Sequence, residues 1–126
     1  MQFLCLAYED EGTLNRLTAN EWEALKQETQ AYVQQLERSG HLVVTRALES
    51  VNTARTVRVR QQRLLATDGP FAETRETLGG FFLIEARDID EAVRIAAAWP
   101  SARFGSIEVR PTLAALRSGS RYGPPA

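Results

Sequence analysis

The sequence predicts a single α+β domain, two β-α-β halves sharing a mostly antiparallel sheet, and three observations carry this. Two short stretches, residues 3–7 and 80–86, are almost continuously apolar, as strands covered on both faces are. Each is followed by a helical pattern opened by a capping signal, Thr18 with Glu21 and Asp88 with Glu91. The 126 residues, 44% hydrophobic and 25% charged, suit one core and lie far from the composition of a disordered chain.

Taken in order, residues 2–8 form the first strand, placed centrally in its sheet by its unbroken apolar run. Residues 9–15 are polar and contain Gly12, so they read as a loop leading to the cap at Thr18. Leu17 and Trp22 then stand at the two positions of a hydrophobic staple. Trp22, Leu25, Thr29, Tyr32, Val33 and Leu36 recur at helical spacing and give an apolar stripe, and Gly40 supplies the stop. Residues 42–48 are rich in β-branched side chains, and Thr56-Val57-Arg58-Val59-Arg60 alternates as a sheet with one wet face does. Gln61-Gln62 turns the chain into a strand over residues 63–67, without the Asn-Gly chemistry of the commonest tight hairpins.

Residues 68–79 show little periodicity and read as a loop with room for one helical turn. Phe81 and Phe82 follow on opposite faces of a buried strand, one toward the helices and one toward a dimer interior. A second helix turns Ile89, Ala92, Val93 and Ala96 inward and ends at Pro100. Ser106 to Arg110 alternates again and stops at Pro111, a last strand, and residues 118–126 read as a flexible tail beyond a domain spanning residues 1–117. The element order is that of a ferredoxin-like sheet with both helices on one face. The other face also needs cover, and a second copy of the same sheet is the simplest cover, so a homodimer is expected.

Fifteen basic residues against sixteen acidic ones leave a net charge of −1, which offers nucleic acid no positive field. The N-terminal apolar run has no basic region before it and is too short to span a bilayer, so a cytoplasmic, membrane-free protein is expected. Cys5 and His41 are the sole cysteine and histidine, which excludes an intrachain disulfide and a zinc site of the Cys/His type. No cofactor or metal is implied, although carboxylates alone can hold magnesium.

The segment Thr67-Asp68-Gly69-Pro70-Phe71-Ala72-Glu73-Thr74-Arg75-Glu76, followed by Leu78-Gly79-Gly80-Phe81, resembles the signature of the DGPF branch of the YCII-related family. Val57-Arg58-Val59-Arg60 and the run from Ala102 to Pro111 fit the same pattern, so the similarity extends from the first strand to Pro111. The resemblance implies a dimeric α/β-barrel, two ferredoxin-like sheets packed face to face with a cleft beside the loops. It also implies a wider superfamily of small lyases, isomerases and monooxygenases that act on compact organic substrates, often without a bound cofactor. In the YCII branch proper the suspected catalytic pair is a histidine on the first helix and an aspartate before the last strand. This sequence has neither, with Trp99-Pro100-Ser101 standing in place of the acidic residue.

Three loop residues are the catalytic candidates. Asp68 and Glu73 are carboxylates able to act as acid or base, and Arg75 is a cation able to hold an anionic or carbonyl oxygen. Phe71, Arg58 and Arg103 are the candidates for substrate contact. Each has a plainer reading beside it: Asp68 as a turn former, the charged groups as a solvated network that includes Arg58 and Arg60, Phe71 as a core plug, and Arg103 as a surface arginine. His41 follows the helix stop near solvent, and Cys5 sits in a buried strand as an inert thiol. Three readings compete: a metal-independent lyase or isomerase acting by proton transfer on a small molecule, a non-enzymatic regulatory or ligand-sensing module, and a dimeric scaffold whose loop signature serves folding alone. Proteins resembling this one are often encoded beside extracytoplasmic-function sigma factors, which makes such a factor the expected partner of the second. The enzyme requires a cleft with an aromatic wall and a carboxylate of raised pKa, whereas the module requires an exposed apolar patch or a ligand site without acid/base groups.

Overall fold

The computed structural model describes residues 1–113, and the tail beginning at residue 118 lies outside them. Four strands form the main sheet: β1 (Gln2–Glu9), β2 (Leu42–Ala47), β5 (Thr77–Glu85) and β6 (Gly105–Pro111). Their order is β2-β5-β1-β6, and each neighbouring pair is antiparallel. The helix α2 (Ala19–Arg38) carries the chain from β1 past β5 to β2, and α3 (Ile89–Ala97) carries it from β5 past β1 to β6. These two interleaved crossovers make the split β-α-β arrangement of the ferredoxin-like fold, with the apolar β1 inside the sheet. No helix among the described residues is long and apolar enough to cross a membrane.

Local chemistry sets most of the boundaries. Thr18 accepts from the Glu21 amide while the Glu21 side chain accepts from the Thr18 amide, a complete capping box. Asp88 caps α3 through the Glu91 amide. Gly40, at φ 79°, ends α2 in the left-handed region that glycine enters without steric cost. Both Gln61 and Gln62 take positive φ, 50° and 65°, as a two-residue I′ turn demands, so the turn forms although neither residue is the usual asparagine or glycine.

One face of the sheet is dry. Phe3, Cys5, Phe82 and Ile84 are fully buried beneath Leu36 of α2 and Ala92, Ile95 and Ala96 of α3. The Trp99 ring stacks on Phe82 with centroids 4.0 Å apart, and Tyr32 meets Trp99 edge-on at 6.0 Å while donating to the Ile95 carbonyl at 2.7 Å. The opposite face presents Leu4, Leu6, Val44, Phe81 and Leu83, all half-buried at most, with Arg46, Glu108 and Arg110 toward its edges. Phe81 and Phe82 thus lie on opposite faces, as their adjacency in a strand requires.

Four expectations need correction. Residues 9–15 are not an open loop, because Asp10 caps a short helix, α1 (Glu11–Asn15), through the Gly12 amide. β5 begins at Thr77 rather than at residue 80, and residues 69–76 contain no helical turn. The inward face of α3 is Ala92, Ile95 and Ala96, while Ile89 and Val93 are exposed. That helix stops at Ala97, and Pro100 instead opens a short 3-10 turn running to Arg103.

Candidate functional site

Between α1, α2 and the end of the sheet lies a cleft of two adjoining lobes, about 540 and 460 Å³, which share Glu9, Leu14, Trp22, Leu48 and Gly79 in their walls. This is the size range of small-molecule sites. Leu25 and Val33 of α2 roof the inner lobe, and Phe82 and Trp99 floor it. The apolar stripe of α2 therefore does two jobs. Its C-terminal half seals the core through Leu36, and its N-terminal half stands off the sheet and walls the cleft, leaving Trp22 46% exposed.

Glu9 is the titratable group that lines both lobes; Glu11 and Glu49 join it in the outer lobe, and Lys26 and Arg46 in the inner one. Strand alternation puts it on the same face as Phe3, Cys5 and Ala7, so a carboxylate ends an otherwise apolar row. A bulge falls between Ala7 and Tyr8 where β1 pairs with β5: Ala7 faces Gly80 but Tyr8 faces Leu78, leaving Gly79 as the extra residue. The Gly79 carbonyl accepts from the Leu48 amide at 2.8 Å. A Cβ at Gly79 would come within 2.8 Å of the Glu9 carboxylate oxygen, so the glycine lets that side chain lie flat against the strand. Desolvation pushes the Glu9 carboxyl above the usual carboxylate range, the Ser101 hydroxyl pulls it part of the way back, and the nearby charge of Glu11 raises it further. The result is a proton donor and acceptor in an aromatic-walled hollow.

Glu11 shapes the same mouth. Its carboxylate accepts from the Ser50 hydroxyl at 2.9 Å and the Val51 amide at 2.7 Å, tying the turn after β2 to α1 across the outer lobe. Asp10 accepts from the Arg75 guanidinium at 3.0 Å, and this contact holds its carboxyl below the usual range.

The residues singled out in the sequence fall elsewhere. Asp68 ends β4 (Arg63–Asp68), which pairs with β3 (Arg55–Arg60) in a separate two-stranded sheet. Its side chain is 92% exposed and pairs with Arg55 across the strands at 3.3 Å, while the Gly69 amide is taken by the Ala54 carbonyl at 2.7 Å. Glu73 is exposed, Phe71 is 80% exposed, and Arg58 lies exposed on β3. Arg75 is spent on Asp10. Arg103 donates twice to Glu28 of α2, at 2.7 and 2.8 Å, and so holds the 3-10 turn against the helix rather than closing over the cleft. The structure brings none of Asp68, Glu73, Phe71, Arg58 or Arg103 into the cleft walls. His41 donates through Nδ1 to the Glu85 carbonyl, 2.8 Å away and at the opposite end of β5 from Gly79. Cys5 is fully buried and its thiol is pushed up to about 12 by desolvation, which makes it inert.

A signal for Glu9 was present in the sequence, since the odd-numbered apolar row of the first strand ends on a charged residue. The signal for Trp22 and Trp99 as cleft walls was not, because an aromatic at helical spacing reads the same in a core and over a hollow.

Comparison with known proteins agrees with this architecture. The model of the YCII-related domain matches residues 1–114. An uncharacterized protein of Rhizobium meliloti (strain 1021) is 34% identical over 113 residues, covering 88% of this chain and 91% of that protein. Among solved structures, the 5-chloro-2-hydroxyhydroquinone dehydrochlorinase TftG of Burkholderia phenoliruptrix AC1100, in complex with 2,5-dihydroxybenzoquinone, aligns with a TM-score of 0.52 at 18% identity. That alignment covers 93% of this chain and 98% of the other, and it shows a shared fold. A domain match over all of the described residues, a relative at this identity and a split β-α-β sheet agree: this chain belongs to the YCII-related domain family.

Proposed function

We propose that this protein is a small-molecule lyase or isomerase of the DGPF branch that moves a proton on a compact, flat, oxygen-bearing ring, with Glu9 as its acid/base and no metal. The observation that carries the reading is the Glu9 carboxyl, raised by desolvation, in a cleft walled by Trp22, Phe82 and Trp99. A carboxyl raised by desolvation takes and returns a proton more readily than an ordinary surface carboxylate. In its protonated form it also donates a hydrogen bond to a ring oxygen, and that bond is strongest when the oxygen carries charge. The ring that TftG holds, a dihydroxybenzoquinone, has this chemistry and fits a hollow of this size. The acid/base role expected of Asp68 and Glu73 is assigned instead to Glu9, and the open sheet face of Leu4, Leu6, Phe81 and Leu83 is assigned to a homodimer contact.

The test is a titration with 2,5-dihydroxybenzoquinone, read by quenching of Trp22 and Trp99, the two tryptophans of the chain. Saturable quenching is expected, tighter at pH 5 than at pH 8, because ionised Glu9 repels an anionic ring oxygen. Linear, unsaturable quenching with no pH dependence would remove the proposal.

A second reading, a non-enzymatic module bound to an extracytoplasmic-function sigma factor, draws on the exposed Val57, Val59 and Leu64. It requires that such a factor be retained by the protein in a pull-down, and that the cleft bind no ring.

A further inference from the structure

The β3–β4 hairpin forms a sheet of its own, and its cross-strand register gives its two faces different chemistry. Val57 pairs with Ala66 and Val59 with Leu64 on one face, which the Arg55–Asp68 ion pair closes at the base; Arg58 pairs with Leu65 and Arg60 with Arg63 on the other. On the apolar face Val57, Val59 and Leu64 are 62, 59 and 69% exposed. A lone two-stranded ribbon is at best marginally stable in water, so a face of this kind needs cover. Arg58, Arg60 and Arg63 form no ion pair among the described residues. They keep the outer face wet and guard against edge-to-edge pairing.

We propose that this hairpin clasps a second copy of the same chain. Area favours that occupant. Four strands of about seven residues, at ~4.8 Å between strands and ~3.4 Å per residue, make an open sheet face of roughly 450 Å², short of the ~800 Å² per partner of a stable interface. The apolar hairpin face adds roughly 200 Å² by the same spacings. Under a two-fold axis each copy gives its own hairpin and receives its partner's, so the contact reaches the size a lasting dimer requires.

The inference rests on the two-sheet dimer proposed above, and sedimentation equilibrium of the full chain separates the two. Wild type is expected to be a dimer. Val59→Asp combined with Leu64→Asp places charge on an already exposed face, so the fold is expected to keep its circular dichroism while the dimer dissociation constant rises roughly 10- to 100-fold. Val57→Ser, mild enough to leave the strand intact, is expected to shift it in the same direction. A wild-type monomer, whether or not the hairpin then captures another protein, overturns the clasp and the sheet contact together. A wild-type dimer that the hairpin variants leave equally tight overturns the clasp alone.

Discussion

Phe82→Ala is expected to cost about 3–5 kcal/mol, the largest loss of any single side chain in this domain. Phe82 is fully buried, pairs across β5 with Cys5 on one side and Thr45 on the other, and stacks on Trp99. Truncation removes the ring from the centre of the sheet and leaves Trp99 with nothing beneath it. The neighbours cannot collapse into the gap, because β1 and β2 on either side are held by backbone pairing. Against a total of about 5–15 kcal/mol for a domain, this is enough to bring the midpoint of urea unfolding close to zero denaturant with the slope unchanged. A second consequence is local. The cleft floor merges with the new cavity, so quinone quenching weakens even under conditions where the variant remains folded. A loss below about 1 kcal/mol would mean that Trp99 refills the space and that the stacked pair does not organise the core.

Glu9→Gln is expected to separate stability from function. The folded carboxyl titrates above its unfolded value, so the folded state binds the proton more tightly. Stability from this group is therefore present below the unfolded carboxylate range and is lost as pH rises through the raised folded value. Wherever Glu9 is ionised in the folded state, the wild type carries a desolvated charge that the amide lacks. The variant is thus expected to melt no lower than wild type at pH 7 and to lose the decline in stability across that window. Its amide still donates to a ring oxygen, so the quinone is expected to bind, now without the fall in affinity between pH 5 and pH 8. Proton transfer behaves differently, because an amide neither takes nor returns a proton. Exchange of the ring C–H with deuterated solvent, followed by proton NMR, is expected to slow by about 10²–10⁴, the usual contribution of a positioned acid/base. Unchanged exchange in the variant would exclude Glu9 from the chemistry.

The fold was legible because its signals were local or periodic. Thr18 with Glu21, Asp88 with Glu91 and Gly40 mark helix ends by hydrogen bonds made within a few residues, and the apolar runs of β1 and β5 identify the inner strands. The short helix after Asp10 escaped notice because one turn has too few residues to show a period. The phase of α3 slipped for a similar reason: over nine residues, Val93 and Ile95 both look apolar, and only packing decides between them. The site was harder to read. Asp68, Phe71 and Glu73 draw attention by clustering in sequence, yet Asp68 ends in an exposed pair with Arg55 at the base of a separate two-stranded sheet, while a bulge at Gly79 and the interleaved crossovers bring Glu9, Trp22, Leu48 and Trp99 together. Those four come from four distant parts of the chain. A spacing rule cannot detect them, and only the alternation that ends on Glu9 points in their direction.

Chemical-shift mapping with 2,5-dihydroxybenzoquinone distinguishes the cleft from the hairpin end in one experiment. The indole N–H signals of Trp22 and Trp99, with the amides of Glu9, Leu48 and Gly79, are expected to move together along one saturable isotherm, while the amides of Asp68, Gly69 and Glu73 stay in place. Movement confined to residues 68–76, with both indoles unchanged, would contradict a site beneath α2 and return the chemistry to the carboxylates of the hairpin.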